Sequence, residues 1–187
     1  DRAALELHTA ILTALDRHAE ASAAFERVIT LAPENVEARV ALSRNPTLPP
    51  TEQARRLFEA GELQSGAFDP EGARASFTTA ATIDTDLRAA TRHHFARLEE
   101  ALGNDAEALA AWDEAAAQDA SDVEALEGLG RVRLRGGDAA GADAAFAQVL
   151  ERQPEDPEAL LGYGQSLLAE GKAEQAAAFL HSQRGPD

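Results

Sequence analysis

The amino-acid sequence predicts an all-α fold, a solenoid in which about five antiparallel helix pairs stack along the chain. Three observations lead to this prediction: composition, a repeated pattern and the spacing of apolar residues. The apolar residues of the 187-residue chain are mostly Ala and Leu, which are among the strongest helix formers. A pattern of small and large residues recurs every 34 positions, a period typical of stacked helix pairs. Within each period, apolar residues follow the spacing of a helix with one buried face.

The repeated pattern combines small residues, a large apolar residue and a closing helix breaker. Gly130 and Ala142 are small enough to let two antiparallel helices approach closely, and Phe146 can fill the space toward the neighbouring pair. Pro154 cannot continue a helix, so it marks the end of the second helix. The match is strong over residues 95–171 and moderate over residues 51–87 and 2–34.

Helix ends can be placed from residues that cap or break helices. Asp122 and Asp156 precede segments of helical periodicity, so their side chains are expected to cap first helices. Gly137 should end the helix before it, and Asp138 should cap the second helix of the same pair. Three further positions are expected to cap or begin helices in the same way: Asn35, Asn104 and the Asp69-Pro70 dipeptide.

One stretch departs from the repeat. Pro33 and Thr85 are equivalent positions of their copies, but they are 52 residues apart, which is 18 more than one period. The excess contains a short helical pattern at Val36–Ser43 and then a Pro-rich segment at 45–50, for which an extended conformation is expected. This segment is a covered loop, a hinge or a Pro-rich ligand motif. The sequence therefore predicts three parts: a helix pair with a short helix at 1–44, a connector at 45–50 and a four-repeat stack at 51–187.

The charge of the chain narrows the class of partner. Asp and Glu number 33 against 17 Lys and Arg, which gives a net charge of -16 at pH 7. So acidic a chain repels phosphate backbones and anionic lipid, and we expect neither nucleic acid nor a membrane surface as partner. No apolar run approaches the roughly 20 residues of a membrane span, so insertion is not expected either. Arg provides all but one of the Lys and Arg residues, a bias typical of a GC-rich bacterial genome.

No pattern in the sequence indicates catalysis, a metal or a cofactor. The absence of Cys excludes disulfides, thiol catalysis and Cys-based zinc sites, and leaves the compartment open, with the cytoplasm favoured over the periplasm. His93 and His94 would point about 100° apart on a helix, so they do not form a metal-binding pair. The carboxylate pairs Glu99–Glu100 and Asp113–Glu114 lack the Ser, Cys or His arrangement that acid–base chemistry needs. Trp112 occupies the position of Phe146 in its copy and is expected in the core.

The repeat resembles the tetratricopeptide repeat family. The residues that carry the resemblance are Leu126, Leu129-Gly130, Gly137-Asp138, Ala142, Phe146 and Pro154, and they recur over nearly the whole chain.

This resemblance implies a right-handed superhelical solenoid whose concave wall is lined by the first helix of each pair and binds protein. Departures from the pattern include Ala120 and Thr85, which stand where other copies have Pro. Some members of the family clamp the C-terminal carboxylate of heat-shock chaperones with Lys and Asn. Lys172 is the only Lys of this chain and its Asn residues all fall in predicted turns, so that ligand is not expected.

The outward positions of the first helices form the predicted binding face. Residues four apart share a helix face, so His93 should stand over Arg97, and Arg131 over Arg135. Arg97 and Arg131 are one period apart, which would place them side by side on neighbouring repeats. Arg forks suit carboxylates, so an acidic peptide or a C-terminal carboxylate is the expected ligand. The predicted partner-binding residues are Arg55, Phe58, His93, Arg97, Glu127, Arg131, Arg135, Leu161, Gln165 and Leu168.

Two alternatives concern the charges on this face. The arginines could instead form surface salt bridges with Glu100, Glu124 and Glu127, which contribute little to stability. The stretch from Leu98 to Gly130 holds ten acidic residues and no basic one, which indicates a solvated flank or a contact for a basic partner.

The function predicted from the repeat is a protein–protein interaction scaffold that binds a peptide or partner segment in the concave groove. Two other classes stay open. One is an accessory repeat arm of a larger multidomain enzyme, as found before sulfotransferase or glycosyltransferase domains. The other is a scaffold that self-associates end to end through exposed apolar residues of its last helix pair.

Overall fold

The structure, a computed structural model, describes residues 2–183 and confirms the all-α prediction. The described residues form eleven α-helices and one 3-10 helix and contain no β-strand. Within this range, no helix is both long enough and apolar enough to cross a membrane. The α-helices are α1 (Arg2–Ala14), α2 (His18–Leu31), α3 (Val36–Ser43), α4 (Pro50–Gly66), α5 (Pro70–Ile83), α6 (Arg88–Leu102), α7 (Asp105–Gln118), α8 (Val123–Arg135), α9 (Ala139–Arg152), α10 (Pro157–Ala169) and α11 (Ala173–Gln183), and the 3-10 helix is Thr85–Leu87.

Ten of these helices form five hairpins, which agrees with the five predicted repeats: α1/α2, α4/α5, α6/α7, α8/α9 and α10/α11. Each hairpin is closed by two or three residues, and so short a link makes the two helices antiparallel. The turn needs a residue with positive φ after the first helix. Gly137 provides it in the α8/α9 turn with φ of 86°, and Asp16 takes the same conformation in the α1/α2 turn with φ of 54°.

The predicted helix caps are present except at Asn104, whose side chain makes no capping hydrogen bond to α7 and instead donates to Glu99 Oε2 at 2.7 Å. The Oδ1 atoms of Asn35, Asp122 and Asp156 accept hydrogen bonds from the backbone N–H three residues later, at 2.8, 3.1 and 2.8 Å. These bonds satisfy donors that a helix leaves unpaired in its first turn. The caps therefore set where α3, α8 and α10 begin.

The short helix predicted after the first pair is α3. The Pro-rich segment that follows is a turn rather than the expected extended chain, because Asn45 supplies hydrogen bonds that proline cannot. Asn45 Oδ1 accepts from the backbone N–H and the hydroxyl of Thr47 at 3.0 and 2.9 Å, and its Nδ2 donates to the carbonyl of His18 at 2.6 Å. Pro50 is the first residue of α4. An N–H at this position would have no acceptor within the helix, so proline costs no helical hydrogen bond there.

The chain divides into two compact units, unit 1 (Asp1–His94) and unit 2 (Phe95–Asp187). The predicted connector at 45–50 lies inside unit 1, and the proposed division into 1–44 and 51–187 stays a prediction. The outermost residues of those two parts, residue 1 and residues 184–187, lie outside the described range.

The core of unit 2 is built around two aromatic side chains seated on glycines. Trp112 is fully buried, as predicted, and a Cβ added to Gly128 of α8 would lie 2.3 Å from its ring. Phe146 of α9 contacts Gly130 of α8 and Gly162 of α10, where an added Cβ would lie 2.5 and 2.3 Å from the ring. These glycines therefore allow the first helices to close around the aromatic rings.

In the core of unit 1, the α4/α5 hairpin also packs an aromatic ring against a glycine, whereas the phenylalanine of α2 is less buried. Phe77 of α5 is buried against Gly61 of α4, where an added Cβ would lie 2.7 Å from the ring. Around α2 and α3, Val28 and Leu42 are buried. Phe25 is only partly buried there.

Candidate functional site

The predicted binding residues of unit 2 lie on the first helices of its hairpins, α6, α8 and α10. Ion pairs link these helices in sequence, so they share one surface. Arg97 Nη1 of α6 lies 3.2 Å from Glu124 Oε1 of α8, and Arg131 of α8 pairs with Glu158 of α10. We call this surface the first-helix face of unit 2, and its residues are Arg97, Glu100, Glu124, Glu127, Arg131, Arg135, Glu158, Leu161, Gln165 and Leu168.

Arg131 is held by two carboxylates of the chain itself. Its Nε and Nη2 donate to Glu100 Oε1 and Oε2 at 2.9 and 3.1 Å, and its Nη1 donates to Glu158. Glu100 also accepts from the indole N–H of Trp112 at 3.2 Å. Burial acts to raise the pKa of Glu100, but the hydrogen bonds and charge of Arg131 outweigh it, so the pKa is lowered. Arg131 therefore joins three successive first helices.

The other two predicted arginines of this face are also paired within the chain. Arg135 Nε and Nη2 lie 2.9 and 2.7 Å from Asp105 Oδ1, and Arg97 pairs with Glu124. Two of the internal salt bridges that were considered as an alternative are therefore formed, one between Arg97 and Glu124 and one between Arg131 and Glu100.

Glu127 has a different environment from the one expected of a salt-bridge partner. Its pKa is raised from 4.5 to about 7, first by burial and then by the negative charges of Glu158 and Asp156. The charge of Arg131 opposes this shift without cancelling it. The surface between α8 and α10 therefore holds more negative than positive charge around Glu127.

Apolar side chains lie exposed beside these carboxylates on α10. Leu161 is 64% exposed and Leu168 is 57% exposed. Gln165, one turn after Leu161, is exposed as well. With Glu158, these residues occupy one face of the helix because their spacing is three or four residues.

The predicted binding residues of unit 1 have separate surroundings. Arg55 is exposed, and its Nη2 lies 2.8 Å from Glu52 Oε1 in the preceding turn. Phe58 is partly buried, and its ring packs edge-on against Phe77 and His94 at centroid distances of 5.7 and 5.0 Å. Phe58 therefore supports the core in addition to any exposed contact. His93 is half-buried.

A cleft between α1 and α3 was not predicted from the sequence. It has a volume of about 800 Å³. Its floor includes Phe25 of α2, and its walls include Glu6 and Ala10 of α1 and Glu37 and Ala41 of α3. Both walls carry a carboxylate, and the lining residues that the structure describes include no Lys, Arg or His.

Metal-binding geometry is not found in the described range 2–183, which holds no group of three or more His, Cys, Asp or Glu side chains able to bind an ion.

Sequence comparison explains the repeated hairpins. Models of the tetratricopeptide repeat match residues 10–35, 94–143 and 133–185, which together make up more than half of the chain. The chain belongs to the tetratricopeptide repeat family. No curated protein matches its sequence.

Solved structures with the same fold cover almost the whole chain. A tetratricopeptide repeat protein from Parabacteroides merdae ATCC 43184 is 18% identical, with a TM-score of 0.64 over 100% of this chain and 68% of its own. MamA is 17% identical, with a TM-score of 0.60 over 96% of this chain and 88% of its own. YrrB, described as a tetratricopeptide repeat protein with an unusual peptide-binding site, is 17% identical, with a TM-score of 0.61 over 97% of this chain and 84% of its own. At these identities the similarity shows the solenoid fold.

Proposed function

We propose that this tetratricopeptide repeat protein is an interaction scaffold that binds a basic, partly apolar segment of a partner protein over the first-helix face of unit 2. The observation that carries the proposal is the pair of exposed leucines, Leu161 and Leu168, on the face of α10 that also carries Glu158. Covering each leucine would contribute about 1 to 2 kcal/mol.

A basic partner fits this surface better than the acidic one expected from the arginines alone. Arg97, Arg131 and Arg135 pair with Glu124, Glu158 and Asp105, so a ligand of either charge would compete with these pairs and the excess of acidic residues decides. Unit 2 contains 19 Asp and Glu residues against seven Lys and Arg residues, which favours encounter with a cationic segment. A cation near Glu127 would also relieve the repulsion that raises its pKa.

The proposal is tested by selecting random peptides from a display library on the full chain and measuring their affinities by calorimetry. We expect the selected peptides to combine Arg or Lys with apolar residues. The double variant Leu161→Ser/Leu168→Ser should bind them at least about tenfold more weakly, which corresponds to 1.4 kcal/mol.

The matched control is Leu31→Ser/Leu102→Ser, because these leucines are also exposed but are not among the residues of the face. This control should bind as the unaltered chain does. An equal loss of peptide affinity in both double variants would contradict the proposal. Selection of acidic peptides whose binding depends on Arg97 would contradict it as well.

A further inference from the structure

The two units contain the same three-helix arrangement, but the residues between their first helices differ at several positions. In unit 1, helices begin at Arg2, His18 and Val36, and in unit 2 helices begin 121 residues later in each case. The ends of α1 and α2 correspond to those of α8 and α9 with the same offset. The cap of α3 by Asn35 corresponds to the cap of α10 by Asp156. Side chains can therefore be compared position by position.

In unit 2, the space between α8 and α10 is occupied by the guanidinium of Arg131. This group bonds to Glu158 on α10 and lies close enough to Glu127 on α8 to act on its pKa. The equivalent positions in unit 1 are Glu37 on α3 and Glu6 on α1. Both carboxylates are therefore kept in unit 1.

One difference between the two segments is the residue that pairs with these carboxylates. Ala10 stands at the position of Arg131, and the space that the arginine side chain fills in unit 2 is open in unit 1 as the α1/α3 cleft. Ala14 likewise stands at the position of Arg135. The cleft thus keeps both carboxylates at these positions, and Glu6 Oε1 accepts a hydrogen bond from Asn35 Nδ2 at 3.0 Å.

The phenylalanine at the floor of the cleft also packs differently from its equivalent in unit 2. Phe146 sits between α8 and α10 because Gly130 and Gly162 leave room for its ring. The equivalent residues in unit 1 are Thr9 and Ala41, which carry side chains where unit 2 has glycine. Phe25, the equivalent of Phe146, is accordingly less buried and forms part of the cleft lining.

We infer that the α1/α3 cleft binds an arginine side chain from a partner protein, with its guanidinium between Glu6 and Glu37 and its alkyl stem against Ala10 and Phe25. Charge complementarity supports this occupant, since the described residues that line the cleft include two carboxylates, Glu6 and Glu37. The planar fork of a guanidinium matches carboxylate geometry, as Arg131 shows with Glu100. This site is separate from the α10 leucines, so each is tested by different residues.

The probe is the blocked peptide acetyl-Leu-Arg-Leu-amide, titrated into the full chain while backbone amide signals are followed by NMR. Its matched control replaces arginine by citrulline, which keeps the shape and removes the charge. We expect saturable shifts at the amides of Ala10 and Ala41 with the arginine peptide at concentrations up to about 10 mM. The citrulline peptide should bind at least about tenfold more weakly.

Three variants locate the site. Ala10→Arg should abolish the shifts by filling the cleft internally, whereas Ala23→Arg, which adds the same side chain to an exposed position of α2, should leave them unchanged. Glu37→Gln alters an exposed residue and should weaken binding at least about fivefold even if Ala10→Arg does not fold. Equal binding of the citrulline peptide, absence of shifts, or binding that survives both Ala10→Arg and Glu37→Gln would overturn the inference.

Discussion

The α1–α3 segment of unit 1 and the α8–α10 segment of unit 2 have equivalent helix starts but fill the space between their first helices differently. In unit 2, two glycines admit Phe146, and Arg131 bridges to α6 and α10. In unit 1, Thr9 and Ala10 stand at the positions of Gly130 and Arg131, and a cleft of about 800 Å³ lies between α1 and α3. The repeat thus specifies where helices begin, whereas a few side chains decide whether neighbouring first helices close on each other.

The largest effect is expected from placing the unit 1 residue in unit 2. Gly130→Thr should destabilise the chain by about 3 kcal/mol, because a Cβ at this position lies 2.5 Å from the ring of Phe146. Urea unfolding followed by circular dichroism measures the loss. The reverse change, Thr9→Gly, should cost only about 1 kcal/mol, the helix penalty of glycine. Similar losses in both variants would show that the two interiors are packed alike.

Removal of the bridging arginine should have the next largest effect. Arg131→Ala leaves Glu100 and Glu158 without their shared cation, and we expect a loss of about 2 kcal/mol after allowance for the partial exposure of the pair. Arg97→Ala, which breaks a more exposed pair, should change stability by less than about 1 kcal/mol. The comparison fails if the two variants unfold at the same urea concentration.

The raised pKa of Glu127 predicts a smaller, pH-dependent effect. Its pKa is about 7 in the folded chain against an ordinary value of 4.5, so the folded state binds the proton more tightly. Its contribution to stability is therefore fully present below pH 4.5 and is lost as the pH rises through 7. Above pH 7, the variant Glu127→Gln should be more stable than the unaltered chain by about 1 kcal/mol, and below pH 4.5 the two should be equally stable. Urea unfolding at several pH values measures this difference.

The smallest stability effect is expected when the arginine of unit 2 is introduced at the equivalent position of unit 1. Ala10→Arg should raise stability by about 0.5 kcal/mol, because the new guanidinium can pair with Glu6 and Glu37 near the surface. Thermal unfolding at low and high salt measures this gain, which should shrink as salt screens the charges. A salt-independent change, or a loss of stability, would mean that the carboxylates do not converge on this position.

The sequence was sufficient for the features that depend on local chain chemistry. Val36–Ser43 was predicted as a helix and is one, and the caps Asn35 and Asp156 are present as predicted. The turn at Asn45 was missed because one of the hydrogen bonds that hold Asn45 in place goes to His18 in an earlier helix.

The site was less predictable because its contacts join residues of different repeats. Arg97, Arg131 and Arg135 were placed on one face by spacing alone, but spacing does not reveal which carboxylates reach them. The pairing of Arg135 with Asp105 joins the end of α8 to the start of α7 and was not anticipated. The cleft could have been suspected from the repeat register, in which Ala10 takes the place of Arg131 while Glu6 and Glu37 retain carboxylates.

The most direct test of the account exchanges the two positions in one chain. In the double variant Ala10→Arg/Arg131→Ala, titrated with acetyl-Leu-Arg-Leu-amide, the NMR shifts should move from the amides of α1 and α3 to those of α8 and α10. This result would show that the space between first helices is an arginine site, filled internally in one unit and open to a partner in the other. Shifts that remain on α1 and α3, or that appear on neither pair of helices, would contradict it.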